Sequence, residues 1–159
     1  MYAGRVSAVC RRYIRDPERA TDVVHDTFLK AWDSLDRFHP RRTGSLGAWL
    51  SSIAAHLAVD ELRRQQRFSF QEEALDGPEP AVDETRMGTL SVEELIALIA
   101  DLPEGYRVVF NLFCLDGFSH REIARLLGIS EKTSQTQYLK ARHKLAALIA
   151  AKCEQDEKD

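Results

Sequence analysis

Apolar residues recur at helical spacing along most of this chain, and no stretch alternates apolar with polar positions over the length of a strand. The pattern predicts an all-α fold. A first helix spans residues 2–15, with Val6, Val9, Cys10, Tyr13 and Ile14 as its apolar stripe. Asp16-Pro17 ends it, because the residue before a proline is steered out of the α region. Thr21 or Asp22 opens a second helix whose inner stripe reads Val24, Phe28, Ala31, Trp32 and Leu35. Asp22, His25, Asp26, Leu29, Lys30 and Asp33 fall on its other sides. Residues 36–45 form a loop, and Ser45 caps a third helix with Leu46, Trp49, Leu50, Ile53, Ala54 and Leu57 in period. The period slips near Ala55-His56. Val59, Leu62 and the run Arg63, Arg64, Arg67 then belong to a fourth helix, or to a continuation after a break.

Periodicity is lost over residues 69–90, which hold Gly77, Pro78, Pro80 and Gly88 and read as a flexible linker. Beyond it, Ser91 with Glu94 forms a capping box ahead of Leu95, Ile96, Leu98, Ile99 and Leu102. Pro103 starts a further helix carrying Tyr106, Val109, Phe110, Leu112 and Phe113, closed by an Asp116-Gly117 turn. Next comes a helix-turn-helix. Ser119 and Glu122 cap its first member, Ile123, Ala124 and Leu127 share a face, Gly128 reverses the chain, and Ser130 caps the second member. Residues 151–159 read as a frayed, charged tail. The expected organisation is two small helical domains, 1–68 and 91–150, joined by the linker.

Charge sharpens this picture. Residues 1–68 carry twelve Lys/Arg against eight Asp/Glu, whereas residues 69–90 carry Arg86 against six carboxylates, within a chain of net charge −3. Two blocks with basic faces therefore flank an acidic joint. In the second helix of the helix-turn-helix, Ser134, Tyr138, Ala141, Leu145 and Leu148 share the inward face. Lys132, Gln135, Thr136, Lys140 and Lys144 lie opposite, offering amide and hydroxyl groups for base edges and ammonium groups for phosphates. Arg121 and Arg142 add phosphate-binding capacity. Together the caps, the small turn and the placed basic face point to DNA binding.

Other classes are excluded or left bare. No apolar run approaches the ~20 residues of a membrane span, and the N-terminus lacks the apolar core of a secretory signal, so a cytoplasmic location without membrane insertion is expected. Cys10, Cys114 and Cys153 are odd in number and form no CxxC pair, which speaks against a disulfide framework or a zinc site. Cys10 and Cys114 lie among apolar residues and are expected buried; Cys153 lies in the charged tail and has no assigned role. No metal and no cofactor are expected. Leu29 among charged residues is either a lone exposed leucine or a docking point for another protein's helices.

Three stretches carry a family resemblance: TDVVHDTFLKAW, GAWLSSIAAHLAVDELRRQQR, and the run from Leu102 to Leu145. In this order they resemble the extracytoplasmic-function sigma factors of bacterial RNA polymerase, from Val6 to Leu148. The resemblance implies a transcription initiation factor, not an enzyme. It implies that Asp22, His25, Asp26, Leu29 and Lys30 dock on the clamp helices of the largest polymerase subunit. The C-terminal domain would meet the flap of the second-largest subunit. His56 would line a pocket for an extruded base of the −10 element, and Arg63, Arg64 and Arg67, with Arg41 and Arg42, would hold single-strand phosphates. Lys132, Gln135, Thr136 and Lys140 would enter the −35 major groove, with Arg121, Arg142 and Lys144 on its phosphates. An anti-sigma protein is a family expectation. The arginine run can also be a solvated helix end favoured by the dipole, and Trp49 is expected to pack in the core. The chain departs from the family in having His25 where Gln is common, His56 where Asn is frequent, a shorter first helix, and few cations in Gln135-Thr136-Gln137.

Two rivals remain. A stand-alone helix-turn-helix regulator explains the C-terminal half equally well but not the docking-like second helix or the second basic face. An enzyme would need an activated nucleophile or ligand spacing; His25-Asp26 are sequence neighbours and point to different sides of a helix.

Overall fold

Asp16-Pro17 both stops one helix and starts the next. In the computed structural model, which describes residues 1–40, 45–65, 70 and 90–156, α1 (Tyr2–Tyr13) ends just before this dipeptide and α2 (Pro17–Asp33) begins on the proline itself. Asp16 Oδ1 accepts from the backbone N–H groups of Glu18 (3.0 Å) and Arg19 (3.2 Å). Proline at the first helical position gives up a donor that has no intrahelical partner there, so α2 starts about a turn earlier than Thr21 or Asp22. A short 3-10 turn, Leu35–Arg37, follows.

α3 (Ser45–Arg64) is one unbroken helix. The expected interruption at Ala55-His56 is absent. The period slips there because α3 packs against both α1 and α2. Ala54, Ala55, Ala58 and Val59 are all fully buried, so two neighbouring faces carry apolar residues where the sequence pattern assumes one. Alanine suits this position: it lets two helices approach α3 closely at no cost in side-chain entropy.

The C-terminal block contains α4 (Val92–Ala100), α5 (Glu104–Phe110), a wide π turn over Asn111–Leu115, α6 (His120–Leu127) and α7 (Glu131–Asp156). Both expected capping boxes form, Ser91 with Glu94 and Ser119 with Glu122. Gly128 takes the left-handed conformation (φ 67°) that closes α6, and Ser130 Oγ accepts from the Thr133 N–H at 3.0 Å to start α7. No strand occurs among the described residues.

α7 runs through the expected tail as far as Asp156. The reason is packing: Cys153 is buried with Ile99, Leu102 and Ile149, and Lys152 Nζ lies 3.7 Å from Glu94 Oε1 on α4. Among the cysteines, Cys10 is buried as expected, with its thiol pushed up to about 11 by burial, but Cys114 is exposed on the outer side of the π turn. The extra residue in a π turn rotates the following positions away from the stripe that a regular helix would keep. The linker reading for residues 69–90 lies outside the described residues except at Phe70 and Leu90.

The two helical blocks share a core. Val108, Val109 and Leu112 from the α5 region and Ile123 and Leu127 from α6 join the same buried cluster as Val6, Tyr13, Ala55 and Leu62. A second, smaller cluster lies between α4 and α7. Burying a valine or leucine side chain fully contributes about 1.5–3 kcal/mol, so buried apolar contact as well as hydrogen bonding holds this joint.

Candidate functional site

The outer face of α2 is built by the same periodicity that buries its inner one. Ala20, Val23, Thr27 and Ala31 face the core. Thr27 can do so because its hydroxyl donates to the Val23 carbonyl oxygen at 2.7 Å, leaving no unsatisfied donor. Asp22, His25, Asp26, Leu29 and Lys30 are all exposed. Trp32, expected on the inner stripe, is instead 77% exposed, and Leu35 is 49% exposed. Thr27 fills the inner position, and the buried stripe narrows to small residues because α3 lies close. His25, Leu29 and Trp32 follow i, i+4, i+7 spacing, so they share one face. The result is an apolar ridge, Leu29 (65% exposed) and Trp32, bordered by the carboxylates of Asp22, Asp26 and Asp33. Sequence reasoning missed Trp32 because an apolar residue beside a stripe reads as part of it.

On α3, His56 is exposed, its Nδ1 2.7 Å from the Ser52 carbonyl oxygen and its ring edge against Phe118 (centroids 5.3 Å). Arg63 and Arg64 are exposed; Arg64 pairs with Glu61 at 3.5 Å, and Arg63 Nη1 donates to the Leu126 carbonyl oxygen of α6 at 3.1 Å. Arg41, Arg42 and Arg67 lie outside the described residues. Trp49 is partly buried against the core and stacks at a tilt on Phe38 (centroids 4.9 Å), the packing role expected of it. The basic end of α3 therefore faces the C-terminal block in this arrangement.

In the helix-turn-helix, Lys132, Gln135, Arg121, Arg142 and Lys144 are exposed and Thr136 is half-buried. Lys140 is not on the open face: it is 5% exposed. At about 100° per residue it lies roughly 80° round the helix from Lys132, toward Ala141 and Gln137, which are buried. The open face instead reads Lys132, Gln135, Thr136 and Leu139, the last 47% exposed. Arg142 and Lys144 flank it on opposite sides, and the Arg142 guanidinium stands 6.0 Å from the Tyr138 ring centre. His120 is held at the turn, its Nδ1 2.9 Å from Ser134 Oγ and its ring stacked on Phe113 at 4.3 Å. Burial holds its pKa below the usual histidine value, and its neighbours are those of a packing residue.

A polar joint ties the blocks together. Asp116, in the turn after the π helix, accepts from Arg12 and from the Tyr13 hydroxyl, both on α1. Asn111 Nδ2 donates to the Arg12 carbonyl oxygen (3.2 Å), and Arg15 Nη2 donates to the Ala100 carbonyl oxygen (2.8 Å). Burial pushes the Tyr13 phenol well above its ordinary value of 10.0, and the Asp116 charge pushes it further. Burial also raises Asp116, against the opposing pull of its bonds from Tyr13 and Arg12. A phenol whose pKa is raised on folding stabilises the joint fully below pH 10, and this stabilisation is lost as pH rises through the folded value. The expected outcome is a fall in stability beginning near pH 10, measured by thermal unfolding across pH 8–11. Tyr13→Phe should flatten that limb; an identical limb in the variant would assign it to other groups.

Comparison with known proteins follows the same division. The description "Sigma-70 region 2" matches residues 1–68, and "Sigma-70, region 4" matches residues 92–145. The RNA polymerase sigma factor CnrH of Cupriavidus metallidurans is 33% identical over 144 residues, covering 84% of this chain and 74% of that protein. The ECF RNA polymerase sigma factor EcfG of Rhodopseudomonas palustris is 31% identical over 135 residues, covering 83% and 72%. Among solved structures, CnrH in complex with the cytosolic domain of CnrY superposes with a TM-score of 0.52 at 28% identity, covering 92% of this chain and 81% of that one. The sigma factor RpoE in complex with the anti-sigma factor NepR from Bartonella quintana has a TM-score of 0.57 at 23% identity, covering 94% and 92%, a likeness of fold.

Proposed function

Because the chain belongs to the extracytoplasmic-function branch of the sigma-70 family and so serves RNA polymerase in transcription initiation, we propose that it docks on core polymerase through the outer face of α2, with α3 and α7 reading the two promoter elements. The observation that carries this reading is the exposed Leu29–Trp32 ridge between carboxylates. A solvated helix gains nothing from leaving a tryptophan three-quarters exposed; a docking helix gains a buried aromatic anchor. Its carboxylates select a basic partner surface, as the clamp helices of the largest subunit would offer. The flap of the second-largest subunit is the proposed contact of the C-terminal block.

For the −10 element, α3 supplies His56 beside an extruded base and Arg63 and Arg64 along single-strand phosphates. Separating a duplex costs about 1.4 kcal/mol per base-pair step on average, so the separated strand must be held. For the −35 element, the N-terminal half of α7 enters the major groove. Gln135 reads a base, since a side-chain amide can pair bidentately with adenine. Arg121, Arg142 and Lys144 hold phosphates, and the buried Lys140 is not a base reader.

In this arrangement of the two blocks Arg63 lies against α6 and His56 against Phe118, just before α6. The two blocks must part for α3 and α7 to reach two separate promoter elements, and the closed arrangement is the proposed resting form. CnrH and RpoE are seen with CnrY and NepR bound; an anti-sigma partner that holds the blocks together is the corresponding proposal for this chain.

In vitro transcription with core polymerase on a promoter library tests the function, and promoter-dependent initiation is the expected result. A stand-alone regulator would give DNA binding without association with core polymerase. Within that assay, Gln135→Ala should shift −35 preference at one position by about 1–3 kcal/mol, whereas Arg142→Ala should weaken all promoters alike. Equal loss on every −35 variant after Gln135→Ala would remove its assignment as a base reader.

A further inference from the structure

A cavity of about 480 Å³ opens between α1 and the α4–α5 segment, at the seam of the two blocks. Arg11, Arg12, Arg15 and Arg107 line it, together with an apolar wall that includes Ile96, Ile99 and Leu115. None of the described residues lining it is acidic. Its size falls in the range of small-molecule sites, and its make-up, apolar walls with a few convergent charges, is theirs too.

Arg12 is paired with Asp116, which lies outside the cavity lining, but the remaining cations are incompletely compensated. Arg107 is 2% exposed, yet its nearest carboxylate oxygen, on Glu104, is 3.7 Å away. Its Nη2 reaches the Tyr13 carbonyl oxygen only at 3.5 Å. The buried Nε atoms of Arg107 and Arg12 have no hydrogen-bond partner among the described residues, nor has Asn111 Oδ1. Arg15 spends one nitrogen on a backbone oxygen, and burial, with the Arg15 charge added to it, lowers the pKa of Arg107. Buried guanidinium groups with unused donors are costly unless an anion meets them. Of the apolar residues lining the cavity, Ile96 is 54% and Leu115 48% exposed, apolar surface that a ligand would cover.

We propose that this cavity binds a small oxyanion, phosphate or carboxylate, carried on a flat apolar body. The planar guanidinium forks can donate bidentately to either head group. The apolar body lies against Ile96 and Leu115. Because the arginines come from both blocks, the ligand fits only while they are together. Binding therefore favours the resting form and keeps α3 covered. The site itself is independent of the promoter-recognition reading; only this last consequence rests on it.

Calorimetric titration of the full chain tests the site. The probes are 1-naphthyl phosphate and 1-naphthoate, with 1-naphthol and inorganic phosphate as the two halves of the ligand. One-to-one saturable binding of at least one naphthyl anion is expected, about tenfold or more tighter than either half; the two anions compared show which head group is preferred. Arg11→Gln with Arg15→Gln, both exposed positions, should weaken it at least about tenfold; Arg11→Gln alone, which keeps the Arg15–Ala100 hydrogen bond of the joint, should weaken it with the circular dichroism melt intact. Absence of saturable binding, equal binding of neutral 1-naphthol, or unchanged affinity in the double variant would overturn the proposal. Failure of the transcription assay would leave this titration untouched.

Discussion

Alanine at both Leu29 and Trp32 is expected to weaken association with core RNA polymerase by about a hundredfold or more. Aromatic anchors at the centre of an interface commonly contribute about 2 kcal/mol or more on truncation, and about 2.7 kcal/mol corresponds to a hundredfold. In the free protein these side chains are 65% and 77% exposed. Their loss should therefore leave folding stability within about 0.5 kcal/mol. That separation makes the test clean: affinity for core polymerase is measured with a labelled chain, and the melt is measured alongside. An affinity within about threefold of the unaltered chain, at equal stability, would move the docking site elsewhere on the surface. Asp26→Lys should have a smaller effect, expressed in association rate and salt dependence, because rim charges steer more than they hold.

The second large effect is expected from Asp116→Ala. Asp116 has 5% of its side chain exposed and Arg12 25%, so the variant leaves a largely buried guanidinium and the Tyr13 hydroxyl without their acceptor. Breaking a buried pair from one side costs about 3–5 kcal/mol, and the partial exposure of Arg12 favours the lower end. About 3 kcal/mol shifts an equilibrium by about a hundredfold. Because Asp116 joins the two blocks, that shift should appear as opening rather than general unfolding. Energy transfer between fluorophores on α2 and α7 should fall while helix content holds. Free chain should then bind −10 single strand more tightly, since Arg63 no longer donates to Leu126. Unchanged energy transfer would mean that the apolar contacts of Val108, Val109 and Leu112 alone hold the joint.

The helix α7, proposed to read DNA, shows where the sequence pattern stops. Periodicity places Gln135 and Lys132 outward and Ala141 and Leu145 inward, and the structure agrees. Lys140 sits on the boundary, about 80° from Lys132, and a long aliphatic stem allows it to be buried. Charge alone suggested the open face. Trp32 is the converse, an apolar residue beside a stripe that belongs to the surface.

What the sequence by itself determined is what depends on neighbours a few residues away. The two capping boxes, the Asp16-Pro17 break, the glycine that closes α6 and the all-α composition follow from local spacing, because helix caps and turns are satisfied within one turn of chain. The tertiary structure alone decided what depends on distant partners. It made α3 continuous by packing it on two sides, extended α7 over α4, turned Trp32 outward, and brought Asp116 to Arg12 across 104 positions. A stripe in the sequence says that a face is buried, but not against what. An aspartate in a turn looks the same whether it meets water or the arginine of another helix.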